Sequence, residues 1–64
     1  MTKEEIKNLA KKIAKLEKTI VSTKDKKELY SAMDEITLLS ESITSLEDME
    51  AIDEEIQKIL LSDS

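Results

Sequence analysis

The chain contains no glycine and no proline among its 64 residues. Glycine is the residue that most easily adopts a positive φ, and proline is the residue that fixes a turn. The tight turns that join antiparallel strands therefore lack their favoured residues. Aromatic strand formers are nearly absent as well, since Tyr30 is the only aromatic residue. The sequence predicts an all-α fold.

The length of the chain limits it to a single domain, over residues 1–64. The core of so small a domain seldom supplies more than about 3–5 kcal/mol, and small proteins usually add disulfides, a metal or a partner subunit. Cysteine and histidine are both absent, which excludes disulfides and leaves carboxylates as the strong metal ligands. We therefore expect no cofactor and no metal site. We expect instead that the chain self-associates or has an obligate partner.

The first third of the chain predicts an amphipathic helix over about residues 3–21. Thr2 and Glu5 have the spacing of a capping box, in which each side chain accepts a hydrogen bond from the backbone of the other residue. The apolar residues that follow are three and four apart, with isoleucine at a positions and leucine at d positions of a heptad. This heptad seam is typical of coiled coils and helical bundles, and it consists of Ile6, Leu9, Ile13, Leu16 and Ile20.

Two further helices are predicted, over about residues 26–43 and 46–61, with a frayed tail at 62–64. At about 100° per residue, the apolar stripe of residues 29–46 and the stripe of residues 49–60 centre about 150° apart. One straight helix cannot bury both stripes in the same core. Thr44 and Ser45 each precede an acidic residue by three positions, as a helix start requires, so a break there is favoured. The alternative is one continuous helix with two separate apolar faces, because no glycine or proline marks the break.

These elements predict a helical hairpin plus a third helix, packed as a homo-oligomeric helical bundle with the seam at its centre. Tyr30 lies at the edge of the second stripe, where its ring can pack on the core margin or anchor an interface. Met33 and Met49 lie on the apolar stripes and are expected to fill the core. The candidate interface residues are Ile6, Leu9, Ile13, Leu16, Ile20, Tyr30, Ile56 and Leu60.

Charge is segregated along the chain. Residues 1–27 contain nine lysines and four acidic residues, a net charge of +5, whereas residues 28–64 contain one lysine and eleven acidic residues, a net charge of −10. The lysines of helix one follow one another on the face opposite the seam. In the simplest interpretation, this is a solvated face that complements the acidic helices, within one bundle or between subunits.

Two other interpretations of the charge stay open. The lysine face can bind a polyanion or an anionic small molecule, with Lys7, Lys11 and Lys15 as the candidate residues. Nucleic acid is the least favoured of these ligands, because the chain lacks arginine and aromatic stacking residues. Alternatively, the acidic surface docks on a basic partner protein. The candidate acidic residues for such a partner are Asp34, Glu35, Asp53 and Glu54.

Catalysis is not expected from this sequence. Serines are present without a histidine to act as their base, and phosphate-binding loops need glycine. Adjacent carboxylates on a helix point in different directions and do not form an acid/base pair in a cleft. The apolar runs are too short to span a membrane. A cytoplasmic location is the default expectation for such a chain. Abundant lysine and isoleucine without arginine favour an AT-rich coding genome, so we expect the source to be a bacterium or its phage.

Overall fold

The computed structural model describes residues 1–62, which form three helices and no strand: α1 (Lys3–Ser22), α2 (Lys26–Glu41) and α3 (Leu46–Ser62). The all-α class and the break between the second and third helices are confirmed. The predicted fraying concerns residues 62–64. Ser62 is the last residue of α3, and residues 63 and 64 lie outside the described residues.

The N-terminus of α1 carries the predicted capping box. The Thr2 hydroxyl accepts a hydrogen bond from the Glu5 N–H at 3.2 Å, and the Glu5 carboxylate accepts one from the Thr2 N–H at 3.3 Å. The hydrogen bond from the Thr2 backbone, followed by the one from its side chain, lowers the pKa of Glu5 below its ordinary value of 4.5. A carboxyl group with a lowered pKa stabilises the fold above its ordinary pKa, and this contribution is lost as the pH falls through the lowered value.

We expect Thr2→Ala to reduce the free energy of unfolding by about 1 kcal/mol, because α1 loses the oxygen that satisfies a free N–H group in its first turn. Urea denaturation monitored by circular dichroism measures this loss. Thr37→Ala is the control, since the Thr37 hydroxyl donates only to the Met33 carbonyl within α2. Equal unfolding midpoints for the two variants would show that the cap contributes nothing.

A three-residue connection joins α1 to α2. The Thr23 N–H closes the end of α1 by donating to the Thr19 carbonyl at 2.8 Å. Asp25 then caps α2, because its carboxylate accepts the Lys27 N–H at 3.0 Å. So short a connection between two long helices makes them a helical hairpin, as predicted.

The end of α2 is formed without glycine. The Ser42 and Ile43 N–H groups donate to the carbonyls three residues earlier, Leu39 and Ser40, which tightens the last turn. None of the described residues has a positive φ. The helix therefore ends at Glu41, two residues before the predicted position, and α3 starts where the predicted break placed it.

The central helix of the protomer is α1. Both α2 and α3 contact it, whereas no Cα atom of α2 lies within 8 Å of a Cα atom of α3 in the described part of the chain. The core lies along α1, where Ile52 and Ile56 of α3 pack against Leu9 and Ile13. Leu39 and Ile43 cover the same core from the other side. The three helices thus form a compact unit in which α2 and α3 both pack on α1.

Ala10 and Ala14 allow α3 to approach α1 closely. Both are almost completely buried within the core cluster that contains Ile52 and Ile56. An ion pair between the N-terminal ammonium group and the Asp48 carboxylate, at 3.5 Å, adds a further contact between the start of the chain and α3. Within residues 1–62, no helix has the length and apolar character that crossing a membrane requires.

Candidate functional site

Three surface grooves lie between pairs of helices, and they differ in charge. We name them the α2/α3 groove, the α1/α2 groove and the α1/α3 groove, after the helices that form their walls. Each is open to solvent, so each is a surface that another molecule can reach. Their linings decide what kind of molecule that is.

The α2/α3 groove has a volume of about 290 Å³ and α1 as its floor. Ile13 and Glu17 of α1 form that floor. Its walls are mostly apolar, and its charged lining residues are all acidic within the described chain. The wall residues are Ile36, Ser40 and Ile43 on one side, and Leu46, Met49, Glu50, Ile52, Asp53 and Ile56 on the other.

Met33 and Met49 were expected to fill the core, and this prediction is wrong. Their side chains are 48% and 46% exposed. The physical reason is the separation of α2 from α3: each methionine lies on the side of its helix that would meet the other helix in a closed bundle. Met33 is two turns before Ser40, which lines the groove, and Met49 lines it directly. Both sulfur-containing side chains therefore border an unfilled space.

The α1/α2 groove lies on the opposite side of the hairpin and combines both signs of charge. Lys12 and Lys15 of α1 line it together with Glu35 of α2. Its apolar part includes Leu38, which is 65% exposed. The volume is about 530 Å³. This groove therefore carries an exposed apolar side chain between charges that complement one another.

The α1/α3 groove is also mixed in charge. Lys3 and Lys7 of α1 and Lys58 of α3 line it with Glu54 and Glu55. The Lys58 ammonium group lies 3.8 Å from the Glu55 carboxylate one helical turn earlier. Such an exposed pair contributes little to stability.

The predicted interface residues do not form one surface. Leu9, Ile13 and Ile56 are buried by their own chain, and Ile6 and Leu60 pack partly buried against the same core. Leu16 and Ile20 are half-buried on α1. Tyr30 is 62% exposed on α2. Leu9 and Ile13 of the seam therefore pack within the protomer, whereas Leu16 and Ile20 stay partly accessible.

The predicted anion-binding residues Lys7, Lys11 and Lys15 are all exposed on successive turns of α1. None of the three has its ammonium group within 4.0 Å of a carboxylate in the described part of the chain. Their charge is therefore not neutralised by direct pairing with the acidic helices. Lys7 borders the α1/α3 groove and Lys15 borders the α1/α2 groove, so the three do not share one pocket.

The predicted acidic residues Asp34, Glu35, Asp53 and Glu54 are all exposed but are divided among different places. Asp53 lines the α2/α3 groove, whereas Glu35 and Glu54 line the two grooves that contain lysines. Sequence reasoning missed Glu17, which together with Glu50 completes the acidic lining of the α2/α3 groove. Glu17 is an acidic residue among the lysines of α1, on the side next to the seam. This position was the sequence feature from which its place in the groove could have been inferred.

Within residues 1–62, no group of three or more acidic side chains is arranged to hold a metal ion. The structure does bring together apolar side chains flanked by charged ones. The charges are of both signs in two grooves and acidic in the third, and such combinations are typical of interaction surfaces. No protein-family model, no curated protein and no solved structure matches the chain.

Proposed function

We propose that the protein is a small non-enzymatic interaction protein that acts by binding another protein, and that it does so as a homo-oligomer. One observation carries the proposal: eight large apolar side chains are exposed in the described chain, whereas only four are buried. Three of the exposed side chains, Leu38, Leu46 and Met49, line grooves between helices, where exposed apolar surface marks sites of interaction. A core this small also benefits from a partner subunit.

The α1/α2 groove is the surface that we assign to self-association. A twofold interface places the same patch of both subunits face to face, so it has to be self-complementary. Lys12 and Lys15 on one side of the groove and Glu35 on the other satisfy this condition, because a twofold rotation brings the lysines of one copy toward the glutamate of the other. Leu38 supplies an exposed apolar contact between them.

Leu38→Cys provides a test of this surface, because the natural chain contains no cysteine. With Leu38 at a twofold interface, we expect the variant to form a disulfide-linked dimer under mild oxidation, since the two thiols meet repeatedly. Gel electrophoresis without reductant measures the rate of dimer formation. Leu46→Cys is the matched control, because Leu46 is 71% exposed but lines the α2/α3 groove. Equal rates for the two variants would contradict the assignment.

Protein binding itself is tested by replacing methionine with its photoreactive diazirine analogue. Met33 and Met49 then carry cross-linkers that border the α2/α3 groove, and irradiation is performed in the cells that produce the protein. We expect a covalent adduct with a second polypeptide, which is identified by mass spectrometry and then has to bind the purified protein. The control is the Met33→Leu/Met49→Leu variant, which retains only Met1. Adducts that are unchanged in this control, or adducts absent from both, would contradict the proposal.

A second candidate function is sequestration of an anionic small molecule or polyanion by the lysines of α1. It is supported by the exposure of Lys7, Lys11 and Lys15, none of which pairs with a carboxylate within residues 1–62. An oligomer that gathers such lysines from several copies would concentrate positive charge.

Replacing Lys7, Lys11 and Lys15 together with glutamate separates the two functions. If the protein sequesters anions, we expect retention on an immobilised polyanion to be abolished. If it binds a protein through the α2/α3 groove, we expect the photo-cross-linked adduct to persist in the same variant. The fold is expected to survive, because all three side chains are exposed. Circular dichroism checks that it does.

A further inference from the structure

We infer that the α2/α3 groove is a receptor for an amphipathic helix of another protein, one that carries lysine or arginine beside its apolar stripe. This inference rests on the proposed function and names the chemistry of the partner. It is carried by the shape of the groove, by the composition of its lining and by its charge.

The shape suits a helix. The walls belong to α2 and α3, whose Cα atoms stay more than 8 Å apart, and the floor is α1. A fourth helix laid along this groove would pack on residues of both walls, at the axis separations of about 8–10 Å that packed helices normally have. An amphipathic helix in an apolar groove is one of the recurring modes of peptide recognition.

The lining suits an apolar stripe of variable sequence. Ile36 and Ile43 on one wall are half-buried and Leu46 on the other is exposed, which gives the groove an accessible aliphatic lining. Met49, also in the lining, has a flexible and polarisable side chain, which adapts to differently shaped partners. Met33 lies two turns before Ser40 on the same face of α2.

The charge selects a basic partner. Glu17, Glu50 and Asp53 are the charged residues that line this groove, whereas each of the other two grooves contains lysines. Basic residues that flank the apolar stripe of a ligand would meet these carboxylates, and acidic residues would be repelled. Residues 28–64 carry a net charge of −10, so the segments that form the two walls also attract a basic partner.

A second copy of this chain does not fit the groove. The basic helix of the chain is α1, and its apolar seam is already covered by α2 and α3, as the burial of Leu9 and Ile13 shows. Apart from Val21 at the end of α1, the exposed apolar residues of the described helices lie on α2 and α3, which are acidic. A copy would therefore bring either lysines without an apolar stripe or an apolar stripe with the wrong charge.

The test uses two synthetic peptides of about 18 residues, which is long enough to follow the groove. Both have leucine at helical spacing on one face. One has lysine on the flanks of that face, and the other has glutamate. Fluorescence anisotropy measures their binding to the full chain. We expect the lysine peptide to bind at least about tenfold more tightly than the glutamate peptide, since several flanking charges change from attraction to repulsion.

Two variants with the same change in net charge localise this preference. In Glu50→Lys/Asp53→Lys the rim of the groove is reversed, and in Asp34→Lys/Glu41→Lys an equal reversal is made on α2, at residues that line none of the three grooves. All four side chains are exposed, so both variants are expected to fold, and circular dichroism verifies this. We expect the affinity of the rim variant for the lysine peptide to fall by about tenfold and its affinity for the glutamate peptide to rise. The affinities of the control variant should change by less than about threefold.

Equal weakening by both variants would overturn the inference, because binding would then depend on overall charge. Equal affinity for both peptides, or no binding of the lysine peptide, would overturn it too. These results are distinguishable from a failure of the proposed function. If methionine-dependent cross-linking to a protein persists while the lysine peptide does not bind, the protein is an interaction protein whose partner is not a basic helix.

Discussion

Ile13→Asn is expected to abolish the folded state. Ile13 is 5% exposed at the centre of the core on α1, and asparagine would both leave a cavity and bury an amide without a partner. These effects together cost about 4–7 kcal/mol, which matches or exceeds the total stability of about 3–5 kcal/mol expected for a core of this size. Circular dichroism should show loss of helix, and light scattering should show loss of assembly at the same time.

Val21→Asn is the control for this prediction. Val21 is also an apolar residue of α1, but its side chain is 85% exposed. We expect this variant to retain the helical content and mass of the natural chain, because surface substitutions rarely change stability by more than about 0.5 kcal/mol. If Ile13→Asn stays fully helical with unchanged mass, the placement of the seam in the core is wrong.

Ala10→Leu is expected to displace α3 from α1. The Ala10 side chain is fully buried in the cluster that contains Ile52 and Ile56 of α3, and three additional carbon atoms have no space there. Overpacking of this kind typically costs about 1–3 kcal/mol. We therefore expect a lower urea midpoint and faster amide hydrogen exchange in α3 than in the α1–α2 hairpin.

Asn8→Leu adds a leucine to the same helix at an exposed position and serves as the control. It should leave the urea midpoint unchanged or raise it slightly, because leucine is a better helix former than asparagine. A close match between the two variants would mean that α3 is not tightly packed on α1 and that the core has been misplaced.

The helices could be predicted because their signals are local. The capping box of Thr2 and Glu5 begins α1 where expected, and Asp25 caps α2. The break before α3 followed from two apolar stripes that point in different directions. The earlier end of α2 could not be predicted, because the hydrogen bonds that close it carry no distinctive sequence.

The candidate site was predictable only in part. Charge segregation indicated that α2 and α3 are acidic, and Asp53, one of the four acidic candidates, is exposed and lines the α2/α3 groove. The sequence could not show how far α2 lies from α3, because that depends on how both helices pack against α1. For the same reason Met33 and Met49 were assigned to a core that leaves them half-exposed. The exposure of a residue on an apolar stripe depends on tertiary contacts, and these cannot be predicted from the spacing of apolar residues along the sequence.

Self-association is the property on which the proposed function depends most. Size-exclusion chromatography with light scattering measures it directly, over a range from low micromolar to high micromolar protein, with circular dichroism on the same samples. We predict a helical dimer or larger assembly, whose mass holds or grows as the concentration rises. A well-folded monomer across the whole range would contradict the homo-oligomer and leave the α2/α3 groove as the surface on which a partner has to be sought.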